Sequence, residues 1–264
     1  MSLKFSKAFL MSGKDFALTP SITLHHPTIK EILSINSSSF PDYFYWGYVQ
    51  TLLADPYANM VMLDDIGRNY LDVSPYEVFV LQWEHCNTAF SVHDAHPLRH
   101  ITEAISFFIK EEHCFEKGVY EDGSVCFYDR NNPACQINEE IFGCLHEWVR
   151  AINKIENSDN IKPADENARR ILIEDMRDTQ KKAGKRNKKH EEGYHYHGSQ
   201  MSAVRYCGNG YQTPHELGSC KLYWLNEALS IRNKKDYADH LLDGIYHGTI
   251  NSKEIHKKEM DWVT

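Results

Sequence analysis

The side chains best able to do chemistry in this sequence are its histidines, 15 in 264 residues. Two groups are dense: His85, Cys86, His93, His96 and His100, then His190, His195 and His197. A structural zinc site takes four ligands in a tetrahedron, usually delivered as two closely spaced pairs. Neither group has that form. His96 and His100 would share a helical face only within one helix, and Pro97 stands between them. His195 and His197 would project to one side of a strand, but the residues around them read as a loop. Both groups are therefore read as polar surface histidines. The stretch LHHPTIKEILSI (24–35) raises the question again with His25 and His26. Pro27 restricts how the chain runs on. Thr28 and Glu31 then have the spacing of a capping box, in which a hydroxyl and a carboxylate each satisfy an otherwise unpaired backbone N–H. The two histidines are thus read as linker residues between a short strand (21–24) and a helix. Another histidine or a carboxylate beside them would restore a chemical reading.

Other catalytic arrangements are missing from the sequence. It contains no G-x-S-x-G elbow, P-loop, H-E-x-x-H or dinucleotide-binding glycine pattern. Gly208-Asn209-Gly210 has the look of a turn, and the carboxylate pair Asp64-Asp65 stands beside an expected helix end. No catalytic, cofactor or metal residue is assigned, and the expectation is a protein that is not an enzyme.

Composition sets the frame for any site. Hydrophobic content of 42% and charged content of 25% belong to an ordinary globular chain. The opening MSLKFSKAFLMSGKDF has no signal-peptide core, and no run approaches the roughly 20 apolar residues of a membrane helix. A cytoplasmic location follows as the expectation. The seven cysteines include no Cys-x-x-Cys pair, so they are read as reduced, packed thiols. A net charge of −8 disfavours general binding to a nucleic-acid backbone.

The patterning predicts a predominantly α-helical α+β fold. Helices are expected after Thr28, through 43–54, from Asp55-Pro56 to Gly67, and from the capping box Ser74-Pro75-Tyr76-Glu77 onward. Another is expected from about Leu98. Val119-Tyr120 and Val125 to Tyr128 flank an Asp-Gly turn and predict a β-hairpin near 119–128. Asn138 should cap a strongly amphipathic helix carrying Ile141, Leu145, Trp148, Val149 and Ile152 on one stripe. The polar break 156–167 suggests a boundary. The chain then divides into a mainly helical domain (1–160), a charged helix with a flexible basic linker (161–198) and a small helical C-terminal domain (199–264). In that last part a Thr213 to Glu216 box opens one helix, and KKDYADHLLDG supplies a second.

Charge is unevenly distributed. Residues 177–189 hold seven Lys or Arg and one Asp, a net of +6, which leaves −8 − 6 = −14 for the rest. Lys181, Lys182, Lys185, Arg186, Lys188 and Lys189 are the candidate partner-binding cations. A solvated helix end is the plain reading of this run, and an acidic protein partner is the functional one. Nucleic acid fits less well without interleaved aromatics for base stacking. Aromatic clusters such as Tyr43 to Trp46 should mostly be core, but surplus rings on a surface would anchor the helix of another protein. Tyr223 and Trp224 are the candidates for that role.

Taken together, PTIKEI (27–32), YFYWGYVQTLLADP (43–56) and MLDDIGRNYLDVSPYEVF (62–79) resemble the N-terminal pattern of tail assembly chaperones and neighbouring tail proteins of phages and prophages of Gram-positive bacteria. The later order is similar too: a hairpin, INEEIFGCLHEWVRAIN (137–153), a Lys/Arg-rich helix, and GYQTPHELGSCKLYWLNEAL (210–229) before a terminal Asp261-Trp262. The resemblance spans nearly the whole chain through cap and packing patterns. It implies a non-catalytic factor in the host cell cytoplasm that keeps the helical tape measure protein soluble and recruits tail tube protein, with self-association as a further possibility and no cofactor. The alternatives are a metal-dependent enzyme using the histidine-rich regions and a small nucleic-acid-binding regulator acting through 181–189.

Overall fold

The computed structural model describes residues 4–35, 41–88, 101–110, 113–155, 162–190, 201, 214–251 and 255, with 41–43, 85–88, 183–190 and 214 described by backbone alone. The histidine groups at 85–100 and 190–197, the basic linker beyond His190, Thr213 and Asp261-Trp262 therefore lie outside the described side chains.

The first helix, α1 (Lys7–Ser12), starts where the Ser6 hydroxyl accepts the Phe9 N–H and ends at Gly13 in the left-handed region. That glycine has a second reason to be there, since a Cβ would lie 2.8 Å from Cγ of Lys221. Strands β1 (Phe16–Thr19) and β2 (Ile22–Leu24) form an antiparallel pair. Helix α2 (Ile29–Leu33) carries the expected capping box, with Thr28 Oγ1 accepting the Glu31 N–H and Glu31 accepting the Thr28 N–H. The same reciprocal bonds join Ser74 and Glu77 at the start of α5 (Pro75–Thr88).

Between them run α3 (Pro41–Leu53) and α4 (Met60–Asp65). The sequence pattern predicts that Asp55-Pro56 opens the second of these helices, and the structure differs. Asp55 Oδ1 accepts the Tyr57 N–H and its carbonyl accepts from Asn59, so these residues make a turn and the helix begins at Met60. After α6 (Ile101–Phe108), strands β3 (Phe115–Val119) and β4 (Val125–Asp129) form the predicted hairpin, its turn closed by Gly123 at φ 83°. A third strand, β5 (Gln136–Ile137), pairs with β4 and has no signal in the sequence. The chain continues through α7 (Glu139–Asn153), capped by Asn138 as expected, α8 (Glu166–His190), α9 (Pro214–Ser219) and α10 (Leu222–Tyr246). The described chain is thus a predominantly helical α+β fold. The two short C-terminal helices read from the sequence differ from the single continuous α10, which runs through Gly244 and closes when Thr249 and Ile250 donate to the Gly244 carbonyl.

The core centres on α3, α6 and α7, with Trp148, Tyr45, Phe108, Phe79, Phe127 and Phe142 fully enclosed. Leu222, Tyr223 and Leu225 of α10 belong to this same buried cluster, so the start of α10 is packed into the body formed by the described residues before 156. Helix α8 meets the body differently: Ile173 is buried against it, Leu172 and Met176 are partly so, and α4 is the element it packs on. No described helix is long and apolar enough to cross a membrane.

Candidate functional site

His25 and His26 leave the role the sequence suggested for them. Nδ1 of His25 lies 3.1 Å from Asp15 and Nε2 lies 3.2 Å from Glu31, so the ring is held between two carboxylates. Asp15 also accepts the His26 N–H at 2.8 Å and Lys110 Nζ at 3.1 Å. Burial would raise its pKa, but those donors together hold it below the ordinary carboxylate value. His26 is fully buried, its ring 5.7 Å from that of Trp148 and its Nε2 accepting the Tyr223 N–H at 3.4 Å. The two histidine carbonyls accept from Trp148 Nε1 at 2.8 Å and Lys221 Nζ at 2.5 Å. Burial, reinforced by Lys221, pushes the His26 pKa down to about 4. Both nitrogens of His25 stand at hydrogen-bond distance from carboxylates. The cluster is a strut joining the N-terminal hairpin, α6 and α10.

A second buried pair joins His113 Nδ1 to Asp129 at 2.9 Å, and Asp129 also accepts the backbone N–H groups of Cys114 and Asn131. Nε2 of His113 has no hydrogen-bond partner among the described residues, and its ring is nearly sealed from solvent. With these three contacts Asp129 ties the end of β4 to the segment that leads into β3. Among the described residues no three His, Cys, Asp or Glu side chains gather as a metal site.

The surface offers a different kind of site. A groove of about 370 Å³ runs between α5 and the start of β4, with Val73, Tyr76, Val80, Leu81 and Val125 as its apolar lining. Its shape follows from the layers beneath. Tyr76 donates its hydroxyl to the Val125 carbonyl at 2.7 Å, which fixes the helix against the strand. Under it, Phe79 lies 4.6 Å from Phe142 and 5.1 Å from Phe127, with Trp83 4.6 Å from Phe127. These rings close the core, so Val80 and Leu81 on the next face of α5 are left half-buried. Leu71, Val119 and Tyr120, close to the groove residues in sequence, are exposed apolar side chains, Val119 at 64%. Glu77, Glu84 and Glu139 rim the groove, opposed by Arg68.

The sequence-assigned partner residues fall elsewhere and are not gathered into one site. Lys181 and Lys182 are exposed on α8, past the point where Arg177 ties the helix to Asp64 at 3.2 Å and Asp65 at 2.8 Å. Lys181 lies 3.6 Å from Asp178. Lys185, Arg186, Lys188 and Lys189 continue the helical backbone, and their side chains lie outside the described set. Tyr223 is a correction. It is 5% exposed, because the register of α10 turns its ring into the core. Trp224, one residue on, is partly exposed.

No protein-family model, curated protein or solved structure matches this chain. Sequence reasoning missed the groove because α5 looked apolar on most sides. A signal was present: Glu77 and Glu84 stand seven apart, two turns along one face.

Proposed function

We propose that the protein is a non-catalytic assembly factor of the phage tail chaperone kind, acting in the host cytoplasm. It holds amphipathic helices of a tape measure protein until they are packed, and meets tail tube protein during tail assembly. The observation that carries this reading is the apolar lining of the groove between α5 and β4, with Val73, Tyr76, Val80, Leu81 and Val125, and the exposed apolar side chains Leu71, Val119 and Tyr120 lie close to these residues in sequence. An unprotected amphipathic helix exposes a stripe that aggregates unless another apolar surface covers it, and a helix laid in a groove is a recurring solution. The resemblance in PTIKEI, YFYWGYVQTLLADP and the α4–α5 stretch supports the same reading. The basic half of α8 adds a second, purely electrostatic surface, suited to an acidic segment of a partner.

Co-expression with a phage tape measure protein tests the proposal. The expected result is a soluble complex recovered by affinity capture and size exclusion. Unchanged insolubility of the tape measure protein, with no complex, would overturn it.

A further inference from the structure

We infer that α8 is a strap held on α4 by an ionic latch, and that it opens as a unit while the rest of the fold stays closed. Its described attachments to the body fall between Arg169 and Arg177. Ile173 is the one fully buried side chain of α8 among those described, with Leu172 and Met176 partly buried beside it. Arg177 closes this row on α4, reaching Asp64 at 3.2 Å and Asp65 at 2.8 Å. Arg169, bonded to Glu166 of its own helix, brings a second positive charge to Asp64. From Asp178 to His190 there is no apolar residue larger than alanine, and the side chains described, through Lys182, are exposed.

Three features make this closure light. The apolar contact is small beside that of α7, which buries Phe142, Cys144, Leu145, Trp148, Val149 and Ile152, and segments with few buried apolar contacts open first. The latch is open to solvent: the side chains of Arg177, Asp64 and Asp65 are 37%, 38% and 56% exposed, so water and salt screen it. The Tyr70 hydroxyl, close enough to Arg169 to feel its charge, is buried with no hydrogen-bond partner among the described residues. Lifting α8 would let water reach that hydroxyl and restore the bond that closure forgoes. The latch also has a direction. Asp64 and Asp65 end α4, where the helix dipole disfavours negative charge, so Arg177 is what makes two carboxylates tolerable there. Neutralising them should therefore release α8 without loosening α4.

The test is amide hydrogen exchange of the full-length protein, read by mass spectrometry in low salt and in about 1 M sodium chloride. At low salt the amides of 168–177 should exchange at least about tenfold faster than those of α7, and salt should speed the first set several-fold while leaving α7 as it was. Asp64→Asn with Asp65→Asn should give the fast exchange of α8 already at low salt, remove its salt response, and leave α4 and α7 as protected as before. Arg177→Gln, at a half-exposed position on the other side of the latch, should do the same, and combining it with the two asparagines should add nothing further. Exchange of 168–177 in step with α7 would mean that α8 leaves only when the whole fold does, which overturns the strap. Exchange of α8 untouched by salt and by both sets of variants would overturn the ionic latch.

Discussion

Acidification should loosen the docking of α10 before it touches the carboxylate network, because of one buried imidazole. His26 is fully enclosed between Trp148 and the start of α10, and its pKa falls from an ordinary 6.5 to about 4. The cause is first burial and then the Lys221 ammonium, while Asp15 acts weakly in the opposite sense. The neutral ring is the folded form, accepting the Tyr223 N–H. In the unfolded chain the same ring takes its proton near pH 6.5, so the unfolded state binds more protons throughout the interval from 6.5 down to about 4. Stability contributed by the neutral ring is complete above pH 6.5 and is lost as pH falls toward 4. At roughly 1.4 kcal/mol per pH unit, the whole interval amounts to about 3 kcal/mol. Urea unfolding followed by tryptophan fluorescence, at several values between about pH 7.5 and 4.5, should show that slope in the native protein. His26→Gln keeps an acceptor for Tyr223 and removes the titration, so its curve should be flatter by up to that amount. His146, also depressed by burial, titrates in both proteins and cancels from the comparison. Parallel curves for the two proteins between about pH 6.5 and 4.5 would refute the assignment.

Three further outcomes follow from the packing. Glu227 is buried and bridges Lys7 at 2.6 Å and Lys154 at 2.7 Å, so Glu227→Gln should cost roughly 1–3 kcal/mol, seen as a lower thermal midpoint; an unchanged midpoint would mean that the triad adds nothing. Ile173 is the buried anchor of α8 on α4, and Ile173→Ala should cost about 2 kcal/mol and speed amide exchange along α8 while α7 keeps its protection. Cys114 is exposed whereas Cys126 and Cys135 are buried, so a thiol reagent followed by peptide mapping should label Cys114 in the native protein and the other two only on unfolding.

What the sequence makes legible here is what is local. The boxes at Thr28–Glu31 and Ser74–Glu77 and the cap at Asn138 involve residues three apart, and each forms as its spacing predicts. The stripe on α7 is likewise a property of one segment, and Trp148, Val149 and Ile152 are buried as expected. The His25–His26 strut was not legible. Its partners Asp15, Lys110, Trp148 and Lys221 come from four separate parts of the chain, and nothing in LHHPTIKEILSI announces them. Tyr223 was misplaced for a related reason: an aromatic pair in sequence says nothing about which ring the helix register turns inward. The groove required both failures to be repaired at once, since its two walls are 44 residues apart, from Leu81 to Val125.

The contrast between the groove and the α8 arm bears on how such a protein would hold a partner. The groove is preorganised. Tyr76 is bonded to the β4 backbone, and Phe79, Trp83, Phe127 and Phe142 fill the space behind it, so an incoming helix meets a surface whose ordering cost was met in folding. The arm is anchored by Ile173 and by Arg177 on Asp64 and Asp65, and beyond Arg177 the side chains described, to Lys182, are all exposed. Binding there would be charge-driven, fast to form and easily screened. A holding factor that must also let go benefits from this division. In such a factor apolar burial in the groove would supply most of the affinity, and the arm would raise the encounter rate with little effect on release. Raising the salt concentration should therefore slow association more than it speeds dissociation. Removing the charges of Lys181 and Lys182 should reproduce that kinetic pattern, whereas Val80→Asp should act mainly on dissociation.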